Sequence, residues 1–286
     1  MVILPVWKHH FIETNNVRLH YVAQGEGPLV VLLHGFPEFW YSWRHQIPAL
    51  AKHFRVVVPD LRGYNDSEKP RSGYDINTLT QDVQGLITAL GYQHAHVVGH
   101  DWGGAIAWNF AQRFPEMLDR LAVLNAPHPQ RFVQGLVGNL DQVRRSWYML
   151  AFQVPALPEW LIQNNLSQFV ETVFQGLATR KAAFPKETAR LYEAALSKPG
   201  AVVAALNYYR QMVDPRGWMT AVIPVQSPTL VLWGEEDAVL SRSLVGDMVR
   251  FVAAPVRVLM VPNCGHWVQQ EAPQTVNREL LNFLRG

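Results

Sequence analysis

A single cysteine, Cys264, stands among 286 residues, so neither an internal disulfide nor a multi-cysteine zinc site can form. Charged residues make up only 17% and nearly cancel, 25 Lys and Arg against 23 Asp and Glu. That leaves no strong field to recruit nucleic acid or an anionic membrane. No apolar run approaches the length of a bilayer span. The opening MVILPVWKHH has no basic leader region and too short an apolar stretch for a secretory signal. The expectation is a soluble, cytoplasmic protein with no membrane or nucleic-acid partner. Apolar residues are abundant at 49%, with ten Trp, and a chain of this length buries a full core without metal or disulfide support. Length alone sets a prior of about two domains at roughly 150 residues each. Most of the aromatic side chains are expected to fill the core. They would also suit an apolar small-molecule pocket, and they allow a homodimer without requiring one.

Strand and helix signals alternate along the chain. His10–Glu13 and Arg18–Gln24 flank Asn15-Asn16 and read as a hairpin. Short apolar runs follow at 28–35, 54–60, 94–100, 119–125, 229–234 and 256–262, each bounded by Gly, Pro, Asp or a polar residue. Such runs suit strands of a parallel sheet buried on both faces. Helical periodicity marks Asn77–Leu90, Gly103–Phe114 and Pro273–Leu284. The alternation predicts an α/β sheet with helices on both faces. It breaks between about Pro129 and Ile223, where the patterns are helical and prolines punctuate the segment (Pro155, Pro158, Pro185, Pro199, Pro215). A helical lid inserted after a strand end, where open α/β sheets bind ligands, is the expectation. This divides the chain into a sheet core over 1–129, a helical cap over 130–220 and the rest of the core over 221–286.

Four motifs fall at the ends of apolar runs. GHDWGG, Gly99–Gly104, sits between a strand signal and a helix signal. Glycines two residues either side of a central residue permit a tight turn that lifts the side chain above the sheet, and that side chain is Asp101. An Asp that merely caps the next helix is the simpler reading of the same pattern. HGFPE, His34–Glu38, follows the run at 28–35, and the backbone N–H of Phe36 with that of Trp102 could form an oxyanion hole. His34 itself suits a structural role, bonded to loop backbone. WGEEDAVL offers Glu235, Glu236 and Asp237, and NCGHWVQQE offers His266. Nucleophile, acid and His in that order match a hydrolase triad. Cys264, with no elbow around it, reads as a buried filler.

With HGFPEFWYSW, DLRGYNDSEKP, GHDWGG, LNAPHP, YMLAFQ, NYYRQM, WGEEDAVL and GHWVQQE in sequence, the chain resembles the epoxide hydrolases of the α/β-hydrolase fold over nearly its whole length. The resemblance implies Asp101 as nucleophile, His266 as base and Asp237 as the acid that orients it. It implies Phe36 and Trp102 as oxyanion-hole donors, with Pro37 beside them against the substrate and the Phe36–Pro37 bond cis. Tyr148 and Tyr209 are implied as cap hydroxyls. Tyr208, about 100° away on the same helix, is left to packing. The run at 119–125 ends in Asn125, so the relay acid is not found there. Asp60 is expected to shape its loop with Arg62.

A carboxylate is already ionised at neutral pH and can attack an sp³ carbon without a base, forming an alkyl ester. A base then activates water against that ester. The leaving oxygen of an epoxide must be protonated, and two phenols can supply that. The implied substrates are a small apolar epoxide and water, the product a vicinal diol, with no cofactor and no metal required. A haloalkane dehalogenase with the same nucleophile and a catalytically silent binding protein on this fold are the alternatives.

Overall fold

The computed structural model describes residues 7–212 and 223–286. Its centre is an eight-stranded sheet in the order β1-β2-β4-β3-β5-β6-β7-β8. β1 (Lys8–Thr14) and β2 (Val17–Gln24) form the expected hairpin. Asn15 and Asn16 turn it with φ of 46° and 55°, a left-handed conformation that Asn tolerates well. β2 pairs antiparallel with β4 (Arg55–Pro59), and all further pairings are parallel, through β3 (Leu29–Leu33), β5 (Ala95–His100), β6 (Leu118–Leu124), β7 (Thr229–Gly234) and β8 (Val256–Val261).

The chain runs outward from β3 to β4, then crosses back to lay β5 on the other side of β3. That reversal opens a crevice at the carboxyl ends of β3 and β5, where an open α/β sheet places ligands. The loops carrying HGFPE and GHDWGG leave from those two strand ends.

The central strands are covered on both faces, as their apolar runs predict. Val31, Leu33 and Val123 enter one apolar cluster with Leu79, Val83 and Leu86 of α1 (Ile76–Ala89) and Ile106 of α2 (Trp102–Arg113). Val30, Leu32 and Leu124 enter the other, with Val276 and Leu280 of the C-terminal helix Pro273–Leu284. The run at 256–262 departs from expectation. β8 is the sheet's edge, paired only with β7, and Val261 is its one fully buried residue. Edge position, not composition, decides its exposure.

Among the described residues from 129 to 223 no strand occurs. Helices succeed one another as α3 (Pro129–Gly138), α4 (Leu140–Arg145), α5 (Trp147–Ala151), α6 (Leu157–Asn164), α7 (Leu166–Glu171), α8 (Lys186–Leu196) and α9 (Ala201–Gln211). Pro158 lies in the first turn of α6 and Pro185 immediately precedes α8, positions where a missing N–H costs nothing. α9 packs Val202, Ala205, Tyr208 and Tyr209 into the first apolar cluster, directly over the crevice side of the sheet. The expected boundary at 220/221 and Pro215 lie outside the described residues.

Candidate active site

Asp101 occupies the turn between β5 and α2 with φ 51° and ψ −119°, a strained conformation for a residue with a side chain. The turn closes because Gly99 and Gly103 approach neighbouring backbone. A Cβ on Gly99 would collide with the Gly103 carbonyl, and one on Gly103 with the Leu33 carbonyl. The Asp101 side chain makes no capping hydrogen bond to α2, which sets the simpler capping reading aside. Instead the Phe36 N–H donates to Asp101 Oδ1 at 2.8 Å. The Phe36–Pro37 bond is cis. Trp102 opens α2, the helix end whose N–H groups have no partners within the helix.

His266 Nε2 stands 3.6 Å from Asp101 Oδ2, and His266 Nδ1–H donates to Asp237 Oδ2 at 2.8 Å. Asp237 is held closely in its turn. Its Oδ1 accepts from the N–H groups of Val239 (2.7 Å) and Leu240 (2.8 Å), and its Oδ2 also accepts from Asn125 Nδ2 (2.6 Å). Of the three carboxylates in the acid loop, this is the one facing the imidazole. Glu235 lies 3.9 Å from Arg242, whose side chain is two-thirds exposed. Burial opposes a charged imidazole at His266, but Asp237 and then Asp101 outweigh it and hold its pKa well above the ordinary value. Burial likewise opposes ionisation of Asp101 and Asp237, and His266 overcomes it at both, so both carboxyls sit below their ordinary range.

Two supports of this arrangement were not singled out in the sequence. Asn125, set aside as no acid, bridges strand ends by donating to Asp237 and accepting from Gly234 N–H at 3.0 Å. Glu38, 1% exposed, accepts from Gly35 N–H (3.0 Å), Ser42 Oγ (2.6 Å) and Gln270 Nε2 (2.8 Å), and faces His100 Nδ1 at 2.8 Å. The other ring nitrogen, His100 Nε2, donates to the backbone carbonyl of His266 at 2.9 Å. The nucleophile loop, the HGFPE loop and the base loop are thereby joined beneath Asp101. The only sequence signal was an acidic residue in HGFPE and a His beside Asp101.

Over Asp101 lies a cavity of about 60 Å³ bordered by Trp102, Phe132, Tyr148, Met149, Tyr209 and Leu240, among others. Tyr148 on α5 and Tyr209 on α9 meet edge to face, ring centres 5.8 Å apart. Gln153 Nε2 ties the two helices by donating to the Met149 and Tyr209 carbonyls, both at 3.0 Å. Burial first, and then the negative charge of Asp101, pushes the Tyr148 phenol well up; at Tyr209, burial, Tyr148 and Asp101 act in the same direction. Both remain O–H donors. Phe36 and Pro37 are not part of the cavity wall. The Phe36 ring turns edge-on to Tyr209 (5.2 Å) and Phe152 (5.9 Å), and Pro37 is buried.

The remaining candidates sort as follows. His34 is buried, donating from Nδ1 to the Gly35 carbonyl (2.9 Å) and accepting at Nε2 from Leu61 N–H (3.0 Å), the structural role expected of it. Tyr208 O–H donates to the Arg62 carbonyl at 2.7 Å, away from Asp101's cavity. Cys264 is fully buried, its thiol pushed up to about 12 by burial and by Glu271. Asp60 shapes its loop as expected, but Arg62 reaches outside it. Arg62 forks onto Asp82 with two bonds of 2.7 Å, while Asp60 accepts from His20 (2.6 Å), Trp40 N–H (2.9 Å) and Asn65 (2.8 Å). His20, Asp60 and Asp66 bring ligand-type atoms within 4.8 Å of one another, but His20 and Asp60 use theirs on each other, and Lys198 pairs with Asp66.

The alpha/beta hydrolase fold family matches residues 28–273. Epoxide hydrolase 3 of Xenopus tropicalis is 38% identical over 97% of this chain and 78% of its own length. The AB hydrolase superfamily protein YfhM of Bacillus subtilis is 40% identical over 98% of both chains. A crystal structure of a Bacillus megaterium epoxide hydrolase in complex with an inhibitor superposes with a TM-score of 0.89 at 32% identity, covering 97% of this chain and all of that one.

Proposed function

The chain belongs to the epoxide hydrolases of the α/β-hydrolase fold, and from that membership we propose how it turns an epoxide and water into a vicinal diol. Asp101 is the nucleophile. Its Oδ1 is engaged by Phe36 N–H, so Oδ2 is the oxygen that attacks the epoxide carbon. The carbon–oxygen bond of the ring breaks, and the departing alkoxide takes a proton from Tyr148 or Tyr209. The result is an alkyl ester on Asp101.

Esterification removes the negative charge of Asp101, one of the two that raise the proton affinity of His266. The imidazole then releases its proton more readily, a proton returns to the phenolate, and the neutral ring can take one from water. That water attacks Cγ of Asp101 and Oδ1 becomes the oxyanion held by Phe36 and Trp102 N–H; the Cγ–Oδ2 bond then breaks, the imidazolium gives its proton to the leaving oxygen to complete the diol, and the new Asp101 carboxyl returns a proton to His266. Asp237 keeps His266 in the tautomer and orientation this needs. The helices of residues 130–220 act as the cap that presents the hydroxyls, with core segments 1–129 and 221–286 around it. Exposed Trp147, Leu150 and Trp160 favour a homodimer through the cap, and a cytoplasmic setting completes the reading.

The observation that carries the proposal is that Asp101 and the two phenols border one cavity. In a single turnover in ¹⁸O-water with enzyme in excess, the diol should be mostly unlabelled and the label should enter Asp101. Replacing His266 should let the ester accumulate. Direct label in the diol would overturn the ester route.

A further inference from the structure

Asp237 is fixed to its own turn by Val239 and Leu240, but the turn itself is held from the helical segment. Arg145 on α4 donates from Nη1 to the backbone carbonyl of Asp237 at 2.6 Å, and its Nε donates to Asp141 one turn earlier at 2.9 Å. Gln142, on the same helix and fully buried, uses both ends of its amide on the loop. Ser241 N–H donates to Gln142 Oε1 at 2.7 Å, and Gln142 Nε2 donates to the Val239 carbonyl at 3.3 Å. The same Nε2 donates to Ser146 Oγ at 2.9 Å, locking the amide in place. Asn139 reaches the far end of the loop, donating to Ser243 Oγ at 2.6 Å.

Neither Gln142 nor Arg145 borders the cavity over Asp101, and neither contacts His266. Tyr148 follows Arg145 by three residues, on the helix that does border the cavity. One short stretch of chain therefore holds the proton donor for ring opening and the loop of the acid for ester hydrolysis.

We propose that Gln142 and Arg145 are positioning residues for the second half-reaction: by gripping the backbone of the Asp237 loop they set the orientation of His266, so that the segment roofing the substrate also governs hydrolysis of the ester. This rests on the ester route above. The imidazole faces Asp237 and Asp101, with the His100 ring 4.8 Å away, and among the described residues no other titratable side chain bonds to it. A loosened Asp237 supports the imidazolium less.

The test separates the two half-reactions by rapid quenching and mass measurement of the Asp101 ester, with styrene oxide as probe, in Gln142→Ala, Arg145→Ala and Arg145→Lys. Arg145→Ala should slow hydrolysis by about ten-fold or more, and leave alkylation within about two-fold. Ester should then accumulate in the steady state, and the acid limb of hydrolysis should move to lower pH. Arg145→Lys should restore much of the rate, since an ammonium can still donate to the Asp237 carbonyl. Gln142→Ala should act in the same direction; if it fails to fold, the two Arg145 variants decide. Equal slowing of both half-reactions, or no slowing of either, would overturn the proposal. Absence of any ester in the wild type and in a His266 variant would instead overturn the ester route, so the two failures are distinguishable.

Discussion

Beneath Asp101 the polar atoms hold one another, whereas above it they stand among hydrocarbon. Asp237 accepts from two backbone N–H groups, Asn125 and His266, and Glu38 is satisfied by partners from the three segments that meet around it. Tyr148 and Tyr209 project from helices into a wall of Met149, Leu240, Phe132 and Trp102. The floor stabilises charge by preorganised dipoles, which need no rearrangement when an oxyanion forms. The roof works by desolvation. Excluding water keeps the phenols protonated and strengthens the hydrogen bond each can give to an alkoxide. On the route proposed above, each of the two steps has its own device: the roof for the oxygen that leaves, the floor for the water that enters.

Exchanging Tyr148 and Tyr209 for Phe attacks the roof alone. Each single change should slow alkylation by roughly ten- to a thousand-fold, the remaining hydroxyl substituting in part. The double change should nearly stop it. Circular dichroism and melting should show a folded protein, and hydrolysis of any ester that forms should keep its rate. Stopped-flow tryptophan fluorescence follows the alkylation step. Unimpaired ring opening in the double variant would remove the roof from the chemistry, and efficient bromide release from bromoalkanes in the same variant would argue for a dehalogenase.

The two halves also differ in how far the sequence discloses them. The floor is spelled at strand ends: Asp101 between two glycines, Phe36 after an apolar run, His266 and the acidic loop after two more. Strand patterning alone placed those segments, because a buried parallel strand reads as an uninterrupted apolar run. What escaped was the cross-linking. Asn125, Glu38 and Gln270 lie far apart in the chain, and nothing in a local pattern says that their amides and carboxylates converge. The roof carries less local signal still. A Tyr on a helix is most simply a packing residue, and only the family resemblance picked out Tyr148 and Tyr209. β8 departs from its pattern for a related reason: the edge of a sheet is a property of assembly.

Changing pH sharpens the comparison, since the imidazole belongs to the floor while burial pushes both roof phenols up. Asp101 is held below the ordinary carboxylate range, so it stays ionised and alkylation should persist into mildly acidic solution. His266 is held above its ordinary value while two carboxylates face it. In the proposed ester one of those charges is gone, so its pKa falls from that position, and on that route hydrolysis requires the neutral imidazole. Hydrolysis should therefore decline as pH falls through the pKa of His266 in the ester, approaching about ten-fold per unit on the acid limb, while alkylation continues. Ester should accumulate at low pH and disappear when the pH is raised. Loss of both half-reactions along one common limb would show that a single group serves floor and roof alike.

The smallest effect is expected at Tyr208, and it isolates what position on a helix contributes. Tyr208 and Tyr209 are neighbours on α9, both buried, about 100° apart around the axis. Tyr209 borders the cavity; Tyr208 donates to the Arg62 carbonyl at 2.7 Å and packs against Tyr64 with ring centres 5.3 Å apart. Tyr208→Phe keeps the ring and deletes one donor, leaving a buried carbonyl short of a hydrogen bond. That should cost about 1–2 kcal/mol. For a chain of this size the melting temperature should fall by about 2–6 °C. Alkylation should stay within about two-fold of wild type, because the lost bond supports the loop at Arg62 and touches no reacting atom. Tyr209→Phe should show the reverse pattern, a large loss of alkylation against a small change in melting. If Tyr208→Phe instead slows alkylation as much as Tyr209→Phe does, the hydroxyl that serves the epoxide oxygen has been assigned to the wrong face of α9.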